Sequence, residues 1–128
     1  MIAMQDWTVT YPDGTIAVDH LNLKIQPGEH LAIIGANGAG KSSLILSMVG
    51  VIPGSGRIHV DGVELNKKNL TEIRKKVGVV FQNPDDQLFL PTIYDDVAFG
   101  PRNLGMDEES ARYRVEDRLE LLHISHLR

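Results

Sequence analysis

Apolar and polar positions along the chain fall into three kinds of pattern, and each predicts a different element. Residues 2–10 and 16–26 read as two strands, joined at Pro12-Asp13-Gly14, whose turn chemistry suits a hairpin. Leu31-Ala32-Ile33-Ile34 and Val77-Gly78-Val79-Val80-Phe81 are short, almost wholly apolar runs, the mark of strands buried on both faces. Between these runs, Leu44, Ile45, Met48 and Val49 recur at helical spacing and stop at Gly50, a good C-cap, with Pro53 soon after. Gly54-Ser55-Gly56 opens another β pair, residues 57–60 and 63–65, turned at Asp61-Gly62. A short helix is expected near 71–75. Beyond the second apolar run the chain is polar and loop-like through Pro91, then helical over 92–99. The last segment, 107–122, predicts an amphipathic helix. Asp107 serves as N-cap, Glu108 and Glu109 place negative charge in the first turn, and Ala111, Val115, Leu119 and Leu122 form one apolar stripe that packs on its own domain.

One loop between two of these elements carries a chemical signal. Residues 35–42 read Gly-Ala-Asn-Gly-Ala-Gly-Lys-Ser, a complete G-x-x-x-x-G-K-[ST] phosphate-binding pattern. Its glycines let the backbone curl so that successive N–H groups point at phosphate oxygens. Lys41 reaches the β- and γ-phosphates, the Ser42 hydroxyl is placed for Mg²⁺, and the following helix adds its N-terminal dipole. An apolar run before the loop and a helical pattern after it supply the context that the pattern requires. The ligand expected is therefore a nucleoside triphosphate with Mg²⁺.

Composition narrows the class. A chain of 128 residues fits one domain. A net charge of −4 gives no electrostatic reason to expect nucleic acid, and the basic pairs at Lys67-Lys68 and Arg74-Lys75-Lys76 read as a solvated face. With no cysteine there is neither a disulfide framework nor a thiolate metal site. No apolar run approaches 18 residues, and residues 1–6 lack the form of a signal peptide. Membrane association is thus expected only through a protein partner, with no direct insertion.

Two further segments make the pattern recognisable. Tyr11 stands 24 residues before Gly35 and is followed by Pro12-Asp13-Gly14. Residues 79–89 read Val-Val-Phe-Gln-Asn-Pro-Asp-Asp-Gln-Leu-Phe, with Pro-Thr-Ile-Tyr-Asp-Asp-Val-Ala-Phe-Gly at 91–100. Together with the phosphate loop they resemble the N-terminal half of an ABC transporter ATPase, of the type that serves cobalt/nickel and energy-coupling-factor (vitamin) importers. Essentially the whole chain fits.

The resemblance implies an α/β fold: a P-loop NTPase (RecA-like) core, an N-terminal antiparallel β subdomain, and the start of a helical subdomain. It divides the chain into an antiparallel region (1–30 and 56–66), a phosphate-loop core (31–55 and 77–82) and a final part (83–128). By position, Tyr11 matches the aromatic that stacks on adenine, where a planar ring contributes about 1–3 kcal/mol without base-specific bonds. Asn37, Gly38, Ala39, Gly40, Lys41, Ser42 and Ser43 match the phosphate cradle, with Ser43 where threonine is commoner. Gln82 matches the glutamine that reaches Mg²⁺ and the attacking water, a role suited to a neutral amide. Lys41 and Gln82 are thus the expected catalytic groups, and Ser42 and Gln82 the expected metal ligands. Residues 83–100 match the surface that receives a transmembrane subunit, with Phe89, Tyr94 and Phe99 supplying apolar contact. A second ATPase subunit is the other implied partner, and the location is the cytoplasmic face of the membrane.

The same resemblance points to what these residues lack. A Leu-Ser-Gly-Gly-Gln signature, a hydrophobic strand ending in Asp-Glu and a switch histidine do not occur among them. Residues 1–128 are therefore expected to bind Mg-ATP without turning it over, and to leave apolar sheet edges open. A nucleotide-binding module without catalysis is the alternative from another class. A P-loop small-molecule kinase fits less well, because such kinases usually carry the loop near the N-terminus without preceding antiparallel strands. A soluble ABC protein of DNA repair or translation is disfavoured by the Gln82–Phe89 string. Asp85-Asp86 reads as coupling surface, His123 and His126 as bland surface histidines, and Trp7 as a packing residue.

Overall fold

A computed structural model describes residues 1–127, with the backbone alone for Pro84 and Asp86. The chain divides into two compact units, Met1–Val79 and Val80–Arg128.

The first unit is built on a four-stranded antiparallel sheet. Strands β1 (Ile2–Thr10), β2 (Ile16–Ile25), β3 (Ser55–Val60) and β4 (Val63–Glu64) lie in the order β2-β1-β3-β4. The hairpin turn closes as its sequence suggests. Gly14 N donates to Tyr11 O at 2.9 Å, and the Asp13 carboxylate accepts from Thr15 N at 2.9 Å. Asp61 and Gly62 carry φ of 48° and 80°, the double left-handed step of a type I′ hairpin between β3 and β4.

A bulge in β1 sets which of its side chains face inward. Met4 is buried, and strict alternation would next bury Asp6 and Thr8; instead Trp7 and Val9 are buried. The register against both neighbours shifts between these points, with Asp6 at φ 52° and, on β2, His20 at φ 45°. Side chains occupy places that the regular ladder gives up. Asp6 N donates to Asn22 Oδ1 and His20 N to Thr8 Oγ1, each at 3.0 Å.

Helix α1 (Lys41–Met48) packs on this face, where Leu44 joins Met4, Trp7, Val9, Ile58 and Val60 in one core with Ile73 of α2 (Leu70–Lys76). Its C-terminus is the one expected. Gly50, at φ 68°, donates to Ser47 O and Val51 donates to Leu46 O, the paired bonds of a Schellman motif. Arg74 Nε of α2 adds a bond of 3.1 Å to the Val49 carbonyl.

The two apolar runs depart from expectation. Residues 31–34 and 77–81 form no strand, and Ile34 is 93% exposed. A strand buried on both faces needs neighbours to pair with, and neither run is part of the described four-stranded sheet. Leu31, Ile33, Val77 and Val79 instead line an apolar cleft of about 270 Å³ with residues of β1, β2 and α1.

The second unit holds a 3₁₀ turn over Pro84–Gln87, α3 (Ile93–Asn103) and α4 (Glu108–Leu121), with a closing 3₁₀ turn at Ser125–Leu127. Thr92 caps α3 by accepting from Asp95 N at 3.1 Å, and Asp107 caps α4 by accepting from Ser110 N at 2.9 Å. The capping bonds hold the Asp107 carboxyl below its usual pKa. Helix α3 runs past the predicted Phe99 to Asn103, with Pro101 accommodated near its end. Ala98 packs with Val115 and Leu119, and Ile93, Tyr94, Val97 and Ile124 surround them. The α4 stripe is buried at Ala111, Val115 and Leu119, but Leu122 is 64% exposed. It lies past the end of α4, where the chain leaves helical geometry at His123, φ 58°.

Candidate functional site

The glycine loop lies in the first unit and is shaped by its own backbone. Gly38 and Gly40 both sit at φ 83°, and Ala39 N donates to Ala36 O at 3.2 Å, so the loop folds back on itself before α1. Gly40 meets two demands at once. Its left-handed conformation suits glycine, and a Cβ there would lie 1.9 Å from the Ala17 carbonyl oxygen of β2. No other residue type fits that approach without moving the backbone.

Lys41 opens α1 and folds over the loop, donating from Nζ to the carbonyls of Gly35 and Ala36 at 2.7 Å each. The ammonium is thus held above the curl that the loop describes. No side chain caps the N-terminus of α1, and no acidic residue occupies its first turn. Asn37 and Ser42 are exposed, and Ser43, one position on, is buried. An uncapped helix start, left-handed glycines and one ammonium form a donor set that fits an anion and repels a cation.

Tyr11 is tied to the same helix. Its hydroxyl and Ser43 Oγ lie 2.9 Å apart, so the ring stands beside the loop while remaining partly exposed. The sequence singled out both residues but gave no sign that they bond to each other. It also missed Ser47, whose hydroxyl accepts from Trp7 Nε1 at 2.9 Å in the buried core. Trp7 is a packing residue, as expected, and a hydrogen-bond donor as well.

In the second unit, Gln82 is exposed, directly after Phe81. The expected docking residues there differ from one another. Phe89 and Phe99 meet edge to face at 4.8 Å and remain accessible, whereas Tyr94 packs against the helical core. Asp96 Oδ1 accepts from the backbone of Phe89 and Leu90 and fixes the segment that carries them. Arg102 forms ion pairs with Asp95 and Glu108; the Glu108 contact holds the guanidinium pKa above its usual value and that of Glu108 below. The side chain of Asp86 lies outside the described residues. Among the described residues, no cluster of three metal-ligating side chains occurs, His123 and His126 included.

A glycine loop feeding a helix, with an antiparallel sheet packed on that helix, is an arrangement consistent with an α/β protein of the phosphate-loop class. The chain belongs to the ABC transporter family, whose model matches residues 18–128. It is 50% identical to an energy-coupling factor transporter ATP-binding protein EcfA of Methanothermobacter thermautotrophicus, covering 98% of this chain and 41% of that one. It is 47% identical to a cobalt import ATP-binding protein CbiO of Rhodobacter capsulatus, covering 100% of this chain and 47% of that protein. Among solved structures it resembles CbiO1 of Clostridium perfringens, part of the ABC transporter complex CbiONQ. The TM-score is 0.80 at 38% identity, over 98% of this chain and 51% of that one. A dimeric ATP-binding cassette, MJ0796, bound to ADP and Pi, aligns with TM-score 0.79 at 28% identity, over 96% of this chain and 57% of that one. The chain therefore spans about half the length of the relatives it matches.

Proposed function

We propose that this chain forms the nucleotide-binding part of the ATP-binding subunit of an importer, and that its loop at residues 35–42 holds the triphosphate of Mg-ATP. The observation that carries the reading is Lys41 folded over the Gly35 and Ala36 carbonyls at the uncapped start of α1. Backbone N–H groups from Asn37 to Ser43 cradle phosphate oxygens. Lys41 exchanges its carbonyl partners for β- and γ-phosphate oxygens, and the exposed Ser42 hydroxyl ligates Mg²⁺. Tyr11 offers its ring face to the adenine, and Gln82, by its match to the family's glutamine, would serve the metal and the attacking water. Mg-ATP bound here supplies the phosphoanhydride whose cleavage drives transport.

The proposed partners are a second ATPase subunit and a transmembrane subunit that docks on residues 83–100. The transported substrate, a metal ion or a vitamin, is selected by membrane components. The location proposed is the cytoplasmic face of a membrane, reached through that partner; no helix among the described residues is long and apolar enough to cross one. Residues 1–128 by themselves bind nucleotide without turnover, because the signature, the Asp-Glu strand and the switch histidine are not among them.

A Mg-ATP titration tests the reading. Lys41→Ala removes charge-assisted bonds and should weaken affinity about 10- to 100-fold, with little change in melting temperature. Equal affinity in both proteins would remove the loop from the site.

A further inference from the structure

Ser43 and Ser47 are the two buried polar side chains among the described residues, and both lie on α1, one helical turn apart. Each bonds to an aromatic residue of β1 or its immediate extension. Ser43 pairs with the Tyr11 hydroxyl, and Ser47 accepts from Trp7 Nε1, both at 2.9 Å. The Ser47 hydroxyl also donates to the Leu44 carbonyl at 2.7 Å, so it is engaged as both donor and acceptor.

Serine is an unexpected choice at such positions. It is a weaker helix former than alanine or leucine, and burying its hydroxyl is costly unless bonded. An apolar residue would fill the space, but apolar packing has no direction. A single hydrogen bond between helix and strand would act as a pivot. Two bonds a turn apart fix both the rotation of α1 about its axis and its position along β1. The upper bond lies two residues from Lys41, where any rotation would displace the ammonium and the Ser42 hydroxyl.

We propose that Trp7 and Ser47 are positioning residues for the phosphate loop: with Tyr11 and Ser43 they form a two-rung ladder that sets α1 on β1, and nucleotide affinity depends on that setting. The affinity part rests on the function proposed above; the restraint on α1 does not. The ladder also gives the Tyr11 hydroxyl a role separate from its ring, since it holds the ring beside the loop.

The test uses the full-length protein, with Mg-ATP titration, thermal melting and amide exchange of residues 41–48 measured without nucleotide. Ser47→Ala is expected to speed exchange within α1 and to weaken Mg-ATP binding about three- to tenfold in protein that remains folded. Because this change strands the Trp7 N–H, a second variant, Trp7→Phe with Ser47→Ala, makes both sides apolar. It should recover melting temperature without recovering affinity. Recovery of both, or a Ser47→Ala variant that loses melting temperature at unchanged affinity, would reduce the ladder to a stabilising contact and overturn the proposal. If the unsubstituted protein binds no Mg-ATP, the loop reading fails and the exchange data decide. Acceleration confined to 41–48 would then uphold the restraint, and acceleration spread across the sheet would refute it.

Discussion

Two kinds of segment are similarly rich in valine, leucine and isoleucine, yet they end in opposite states. In the four-stranded sheet, each strand has a paired neighbour, Met4, Trp7 and Val9 of β1 and Ile58 and Val60 of β3 are buried, and Val9 and Ile58 are wholly inaccessible. The runs at 31–34 and 77–81 are not strands in the described structure, and much of their apolar surface meets solvent. Hydrophobicity alone does not make a strand. Alternation tells a segment which side to bury, and a turn such as Pro12-Asp13-Gly14 delivers its neighbour. An unbroken apolar run specifies only that something must cover both faces.

Substitution at the two kinds of site should separate them most sharply. Ile58→Ala, in the sheet core, should cost about 2–5 kcal/mol in denaturant unfolding. Ile34→Lys, in the exposed run, should stay within about 0.5 kcal/mol and reduce self-association seen by light scattering. Equal costs would mean that the run is covered in solution and would erase the contrast. Gly40→Ala comes next, because the loop joins the two regions by resting on Ala17 of β2. Left-handed strain contributes about 1–2 kcal/mol, to which the clash with the carbonyl adds; an unchanged melting temperature would mean the loop does not sit there.

The smallest effect concerns pH. The hydrogen bond to Asp19, and then the charge of Asp6, raise the pKa of His20 above 6.5. Its contribution to the sheet is therefore fully present below pH 6.5 and is lost as pH rises through the folded-state value. His20→Ala should flatten a slight loss of stability between pH 6 and 8, followed by thermal melting. A loss of the same size in the variant would assign it to another group.

What the sequence revealed depended on how local the causes were. The ends of the sheet strands, the Asp61-Gly62 turn, the Gly50 stop, the helix start near 92 and the Asp107 cap rest on a few adjacent residues, and the structure has them within a few positions of expectation. The glycine loop was equally legible, since its conformation is written in its own glycines. The Tyr11–Ser43 and Trp7–Ser47 bonds join residues 32 and 40 positions apart, and no local signal marks them. Leu122 had the right spacing for the α4 stripe, but the helix ends one residue too early to carry it inward. The β1 bulge was hidden for a different reason: Met4 and Trp7 are three apart, an odd step that simple alternation does not admit.

That odd step makes β1 more sensitive to insertion and deletion than to replacement. Gln5 and Asp6 are exposed, and a change of side chain at either alters little that is buried. Removing one of them would take out the bulge and leave Met4, Trp7 and Val9 on one face by strict alternation, but it would slide the Trp7 half of the strand by one residue, about 3.3 Å, against the neighbours it pairs with. The indole would then leave Ser47, and the helix behind the phosphate loop would lose its anchor without any change at the loop. Drift in this gene should therefore preserve the number of residues between Met4 and Trp7 more strictly than their identity.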